Sequence, residues 1–303
     1  MIYRSTDRCD FSKRQLPVMR YPERALGRLI DQFRPDAVVS TYPLYPYFMP
    51  RIPQGIDHRL PVFTVVTDSM EINAAWLRAP SDWWLVTDPE TRTAMSRMVD
   101  PSRIIDTGFP VHPVFADQTS ISASDSCRPF RVLYFPTARK SLLTSHGEAL
   151  LESSEDLQLT IVMGRNVRVL HARARALKDA YPGRVKLIGW AKRIPALLAS
   201  HHLVVGKAGG ATVHEAIAAQ CPMLIHHLVP GQEEGNLRLL EAIGGGALAN
   251  SPASLQRKVR ALLAKDAAGW RAMKEGLARH DRRSGAMVAA RFILSELGKL
   301  KRK

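Results

Sequence analysis

The segment Val204–Asn236, VVGKAGGATVHEAIAAQCPMLIHHLVPGQEEGN, concentrates the residues able to do chemistry. Gly209 and Gly210 permit a tight turn and the close approach of another molecule to the backbone. Thr212 follows as a candidate cap for a helix over Val213–Gln220. A glycine turn feeding a helix start through Gly209, Gly210, Ala211 and Thr212 presents unpaired N–H groups and the positive end of the helix dipole, which suits a phosphate or diphosphate. Glu215, just inside that helix, is badly placed for a phosphate and well placed to accept hydrogen bonds from sugar hydroxyls. One strand later comes a polar cluster, Gln232, Glu233 and Asn236. Phosphate cradle, hydroxyl acceptor and polar cluster together describe a nucleotide-sugar site. A glycine pair before a helix is by itself only a turn between strand and helix; the whole arrangement carries the functional reading.

The elements that must hold this segment follow from a repeating rhythm. Short apolar runs at 36–41, 61–67, 83–87 and 103–107 read as buried strands, with a helix over Pro89–Met98. Further strands are expected near 131–135, 158–163, 185–188, 203–205, 222–226 and 246–249. They alternate with helices near 166–180, 193–200, 212–219, 235–243 and 253–264, and 282–303 reads as a last helix. Such βαβα alternation implies an α/β fold of parallel sheets covered by helices on both faces. The polar, small-residue stretch Gln118–Ser126 is the expected linker. The expected organisation is therefore 1–117 as an N-terminal, acceptor-side domain, 118–130 as linker, 131–281 as the domain binding the nucleotide sugar, and 282–303 as a C-terminal helix and basic tail.

Several motifs, in one order, resemble glycosyltransferase family 28, and within it the monogalactosyldiacylglycerol synthases and processive diacylglycerol glucosyltransferases. The likeness in the second half rests on Lys207, Gly209, Gly210, Thr212, Glu215, Ala216 and Pro222, then Pro230, Gly231, Gln232, Glu233 and Asn236. IVMGRN (161–166) and VKLIGW (185–190) agree with the family as well. In the first half STYPL (40–44), TVVTD (64–68) with Trp76, and GFPVHP (108–113) are similar to family motifs. The resemblance implies the GT-B architecture, two Rossmann-like domains with the active site in the cleft. It also implies inverting transfer of a hexose from a UDP-sugar to a lipid such as diacylglycerol. No metal and no cofactor beyond the UDP-sugar donor are expected. Glu215 is implied as the ribose-binding acid, Gln232 and Glu233 as hexose ligands, and Asn236 as their support. Trp190 is either a border of the uracil or a core residue. Asp68 is a base, an acceptor ligand or a structural turn residue, and Trp76 lies on the acceptor side.

The chain departs from the family in places. Cys221 stands where a glycine precedes the proline. The motif at residue 40 comes too early to leave room for the family's first strand and G-(G/T)-GH-type loop, so the N-terminal domain is expected to be incomplete, and the histidine that relatives use as base is absent. YFPTARKS (134–141) replaces a glycine-rich turn with basic residues, and Asn73 stands where a histidine precedes Trp76. Two other readings follow: a non-catalytic or truncated GT-B remnant that binds a UDP-sugar or a membrane partner, and an enzyme like UDP-N-acetylglucosamine 2-epimerase or the peptidoglycan-precursor N-acetylglucosaminyltransferases.

Composition bounds the rest. The 303 residues are 46% hydrophobic and 23% charged, with a net charge of +15, an ordinary globular balance with a strongly basic surface. Cys9, Cys127 and Cys221 are scattered and odd in number, which fits a reducing compartment. No recognised nucleic-acid motif accompanies the charge. It thickens at Arg4–Arg28 and from Arg279 to Lys303, which fits attraction to an anionic membrane surface or a merely soluble basic one. A cytoplasmic protein, peripheral on the inner face of the cytoplasmic membrane, is expected.

Overall fold

The structure is a computed structural model and describes residues 19–52, 59–231 and 233–300. The basic residues Arg4, Arg8, Lys13 and Arg14, the expected departure at the extreme N-terminus, Gln232 and the tail Lys301–Lys303 lie outside the described residues. The chain divides into two compact units, 1–110 with 284–303, and 111–283.

The first unit holds helix α1 (Arg20–Phe33), strand β1 (Val38–Ser40), β2 (Val62–Val65), α2 (Ala74–Leu77), β3 (Trp83–Val86), α3 (Pro89–Met95) and β4 (Ile104–Asp106). The four strands run parallel in the order β1-β2-β3-β4. They are apolar on both faces, as a sheet covered on both sides must be. Alternation along β2 sorts its partners. Val62 packs with Phe48, Met49 and Ile52, against which Leu26 and Ile30 of α1 and its N-cap Met19 are laid. Val65 packs with Leu85 and with Ala289, Phe292 and Ile293 of the last helix (Gly285–Leu300). Phe292 meets Phe63 and Trp83 edge-on, at 6.4 and 5.3 Å between centroids. This last helix therefore covers a face of the first sheet.

The second unit contains β5 (Phe130–Tyr134), α4 (Lys140–Leu151), β6 (Leu157–Val162), α5 (Val167–Ala180), β7 (Val185–Ile188), α6 (Ile194–Ser200) and β8 (Leu203–Lys207). There follow α7 (Gly210–Ala218), β9 (Met223–His227), α8 (Glu234–Ala242), β10 (Gly246–Leu248) and α9 (Pro252–His280), a helix broken by non-helical backbone at Ala264–Ala267; the last helix of the chain is α10. The six strands are parallel, in the order β10-β9-β8-β5-β6-β7. The chain runs outward from β5 through β6 and β7, then returns to β8 on the other side of β5 and runs outward again. Such a reversal opens a crevice beyond the carboxyl ends of the two central strands, here β5 and β8, where ligands of doubly wound sheets bind. The core beneath it is built from Val132, Tyr134, Leu159, Ile161, Leu203, Val205 and Trp270, all fully buried.

The stretch expected as a linker is part of the second unit. Ser120 Oγ donates to the Ala219 carbonyl at 2.6 Å, the Ile121 amide to Ala199 O at 3.2 Å, and Arg271 to the Ala123 carbonyl. Small polar residues read as flexible from composition, yet their hydrogen-bonding groups also let a chain be tied along a neighbouring surface. The division falls after Pro110 instead of at 117–118.

Candidate functional site

β8 ends with Gly206 and Lys207, and a register irregularity falls between them. Gly206 packs in ordinary contact: a Cβ there would lie 3.4 Å from Met223 Cε and 3.7 Å from Phe135 Cβ. Gly209 is the N-cap of α7, with extended backbone, and its carbonyl accepts the Val213 amide at 3.0 Å. The helix thus begins at Gly210, and Thr212 lies in its first turn instead of capping it. The first intrahelical bond is accepted by the Gly209 carbonyl, three residues before the one that a Thr212 cap would supply. No side chain caps this end, so the N–H groups of the first turn face outward with the positive end of the helix dipole.

The loop is braced by the Pro230–Asn236 segment. Glu233 Oε1 accepts from the Lys207 ammonium at 2.9 Å, and its Oε2 from the Val229 amide at 2.9 Å. Gly209 lies close to this pair: a Cβ there would come within 3.3 Å of Lys207 Nζ and 3.5 Å of Glu233 Oε1. Asn236, buried in the first turn of α8, donates through Nδ2 to the Ala208 carbonyl at 3.0 Å, while its Oδ1 is buried without a partner. Gly231 takes a left-handed backbone, φ +82°, which only glycine adopts freely. Glu233 was expected to reach a hexose. It is 5% exposed, and each of its oxygens accepts one hydrogen bond within the protein, which holds Lys207 beside the helix start.

Glu215 stands apart from these bonds. It is half-buried, burial raises its carboxyl above the usual range, and it has no partner among the described residues. An unpaired, partly desolvated carboxylate is costly unless something supplies donors. Its neighbour His214 is buried and neutral, pushed down to about 3 by desolvation and the nearby His280. Trp190, at the carboxyl end of β7, is 63% exposed, and the Arg165 guanidinium lies 5.8 Å from its ring centroid. It is not a core residue.

Where β5 ends, Arg139 and Lys140 are exposed at the uncapped start of α4. Behind them is a buried cluster that sequence reasoning missed. Tyr134 Oη lies 3.2 Å from His146 Nδ1, and the His146 and His226 rings are 5.0 Å apart. His226 Nε2 lies 3.2 Å from the Phe135 carbonyl, while His146 Nε2 and His226 Nδ1 have no partner. Burial, with His226 alongside, pushes His146 down to about 4. No spacing in the sequence links residues 134, 146 and 226; only the adjacency of β5, α4 and β9 does.

In the first unit Asp68 follows β2. Burial raises its carboxyl, and the Trp76 indole N–H, 2.8 Å from Oδ2, opposes that rise. Trp76 was expected on the acceptor side. It is 3% exposed, packed with Val66, Trp84, Val86 and Met95, and its N–H holds the Asp68 carboxylate. Asn73 caps α2 by accepting from the Ala75 amide at 2.9 Å. The expected donor residues Gly209–Thr212, Glu233 and Asn236 are thus brought together in the second unit, while Asp68 and Trp76 are paired in the first.

Comparison with known proteins places this geometry. Residues 1–111 match the model of the monogalactosyldiacylglycerol (MGDG) synthase family. The chain is 25% identical over 270 residues to the processive diacylglycerol beta-glucosyltransferase of Bacillus subtilis (strain 168), covering 84% of this chain and 68% of that one. Among solved structures, a putative UDP-N-acetylglucosamine 2-epimerase from Listeria monocytogenes superposes with a TM-score of 0.64 at 16% identity, over 97% of this chain and 83% of that one. MurG of Acinetobacter baumannii gives 0.63 at 15% identity, over 94% and 83%. The fold is therefore GT-B, with two Rossmann-like domains. Within that class, residues 1–111 are similar to the MGDG synthase family, and most of the chain is similar to a processive diacylglycerol beta-glucosyltransferase.

Proposed function

We propose that this protein is a hexosyltransferase that moves a sugar from a UDP-sugar to a lipid acceptor such as diacylglycerol, with inversion. The observation that carries the reading is the uncapped, glycine-led start of α7, with the Lys207 ammonium held beside it by Glu233 and the partnerless Glu215 a turn further on. The diphosphate lies at the helix start, where first-turn N–H groups, the helix dipole and Lys207 offset the charge that grows on it as the sugar leaves. Glu215 accepts hydrogen bonds from the ribose hydroxyls. Gln232 is assigned to the hexose, and Trp190 to the uracil. The acceptor oxygen forms a bond to the sugar's anomeric carbon as the bond to the diphosphate breaks. The acceptor proton passes to a carboxylate base, for which Asp68 is the candidate, since a raised carboxyl is a better base near neutral pH. Relatives named as diacylglycerol glucosyltransferases support the acceptor class.

The net charge of +15 supports a site of work at an anionic membrane surface. Among the described residues no helix is long and apolar enough to cross a membrane, and peripheral attachment at the cytoplasmic face is proposed.

Calorimetric titration tests the donor site. Glu215→Ala is expected to keep the fold and to cost about 1.5–3 kcal/mol of UDP affinity, the worth of hydrogen bonds to a charged group. Unchanged affinity for UDP would remove Glu215 from the site.

A further inference from the structure

The inner face of α1 is spent on the first sheet, through Leu26 and Ile30 and the N-cap Met19, so whatever its outer face carries does not serve the core. The solvent-exposed parts of the helix carry two rows that wind around it side by side. Tyr21, Ala25, Leu29 and Phe33 follow one another at four-residue spacing, and Tyr21, Leu29 and Phe33 are 76%, 49% and 78% exposed. Residues four apart stack along one side of a helix, so these four form an apolar stripe. One residue earlier in each turn, Arg20, Arg24 and Arg28 form a basic stripe beside it, all exposed and with no carboxylate partner among the described residues. Of the helix's two acidic residues, Glu23 is paired with Arg51 at 3.7 Å, leaving Asp31 as the other.

We infer that α1 is an interfacial anchor that lies flat on a bilayer containing anionic phospholipid, with Tyr21, Leu29 and Phe33 entering the headgroup boundary and Arg20, Arg24 and Arg28 meeting lipid phosphates. Large apolar groups beside unpaired guanidinium groups match that boundary, which offers hydrocarbon and anionic oxygen within one side chain's reach. A helix of 14 residues is about 21 Å long, too short to span a bilayer and long enough to lie along it. The basic charge of the chain supplies long-range attraction, and the apolar stripe supplies a component that salt does not screen. The inference rests on the reading of the acceptor as a membrane lipid, and deepens it by naming the surface that docks.

Flotation with vesicles of phosphatidylcholine containing 30% phosphatidylglycerol tests this, at low and high salt, with the full chain. Two variants are compared: Tyr21→Ser with Phe33→Ser, and Arg20, Arg24 and Arg28→Gln. Both should melt as the wild type does, because the altered side chains are exposed, and both should keep UDP affinity. The serine variant should lose at least 10-fold in partition at both salt levels. The glutamine variant should partition less at low salt and as the wild type does at high salt. Unchanged partition of the serine variant would overturn the inference. So would a wild-type dimer, seen by ultracentrifugation and abolished by the same serines, because a second copy would then cover the stripe. If wild type transfers sugar to lipid while the serine variant partitions normally, the anchor fails and the enzyme reading stands. If the variants behave as stated and no UDP-sugar is used, the enzyme reading fails and the anchor stands.

Discussion

At the scale of single residues, the proposed donor site depends on one ion pair used as a bracket, its carboxylate buried and its ammonium exposed. Glu233 gives both oxygens to the protein, one to Lys207 and one to the Val229 amide, and so ties the loop after β9 to the end of β8. Lys207→Met should lower UDP affinity roughly 10-fold by removing a charge-assisted contact to phosphate, about 1.4 kcal/mol. Glu233→Gln should lower it by a similar factor, since a neutral amide holds the ammonium less firmly. The double variant should lose little more than either single one, because the two act as a unit. Additive losses in calorimetry would show that Glu233 works independently of Lys207. The residues themselves were legible: Lys207, Glu215, Glu233 and Asn236 stand at readable spacings around a glycine turn. What each side chain touches was not. A motif records position and not burial, so neither the bond from Lys207 to Glu233 nor the burial of Trp76 could be read from it. Trp190 shows the converse, a residue open to reading as core that the fold leaves on the surface.

At the scale of elements, the strands were readable because a parallel sheet buried on both faces demands continuous apolar runs, and each such run is a strand here. The helices were less so. α1 and α4 escaped notice for different reasons. α1 carries apolar side chains on two sides, one for the core and one for solvent, so its periodicity is blurred. α4 opens with polar residues and contains Gly147, a poor helix former. That glycine is explained by packing: a Cβ there would strike the Leu177 side chain of α5. The same logic makes the start of α10 sensitive. A Cβ on Gly285 would collide with the Phe109 carbonyl and lie 2.7 Å from Gly108 C, both backbone atoms that cannot swing aside. Gly285→Ala should therefore destabilise the first unit by about 1–3 kcal/mol, seen as a lower denaturant midpoint. Gly298→Ala, with open space around it, should be neutral or slightly stabilising. Equal behaviour of the two would contradict the packing of α10 described above.

At the scale of the whole molecule, the α/β rhythm was legible along the chain, but the strand order was not, since no local pattern says that β8 returns beside β5. The crevice that follows from this order, and the docking of residues 118–126 within the second unit, became visible only in three dimensions. The fold also buries histidines as neutral groups. His146 and His202 are pushed down to about 4, and His214 to about 3, chiefly by desolvation. His202 Nδ1 accepts the Arg131 amide at 3.0 Å, so a proton there would face an N–H. The sign of the effect follows from proton counts. Between the ordinary histidine value of 6.5 and these lowered values the unfolded chain binds more protons than the folded one. Stability is thus fully present above pH 6.5 and falls on acidification toward pH 4, by up to about 1.4 kcal/mol per pH unit for each histidine. Thermal melts from pH 7.5 to 4.5 should show a Tm that holds to about pH 6.5 and then declines. A flat profile would contradict the neutral burial of these rings.

The central claim, that the second unit presents a UDP-sugar for transfer to lipid, is tested most directly by incubating the full chain with diacylglycerol-containing vesicles and radiolabelled UDP-glucose or UDP-galactose. The account predicts that one donor yields organic-extractable label with inverted anomeric configuration, and that Glu215→Ala lowers its yield at limiting donor. Label that stays wholly in the aqueous phase with both donors, or that moves into a different sugar nucleotide, would contradict it.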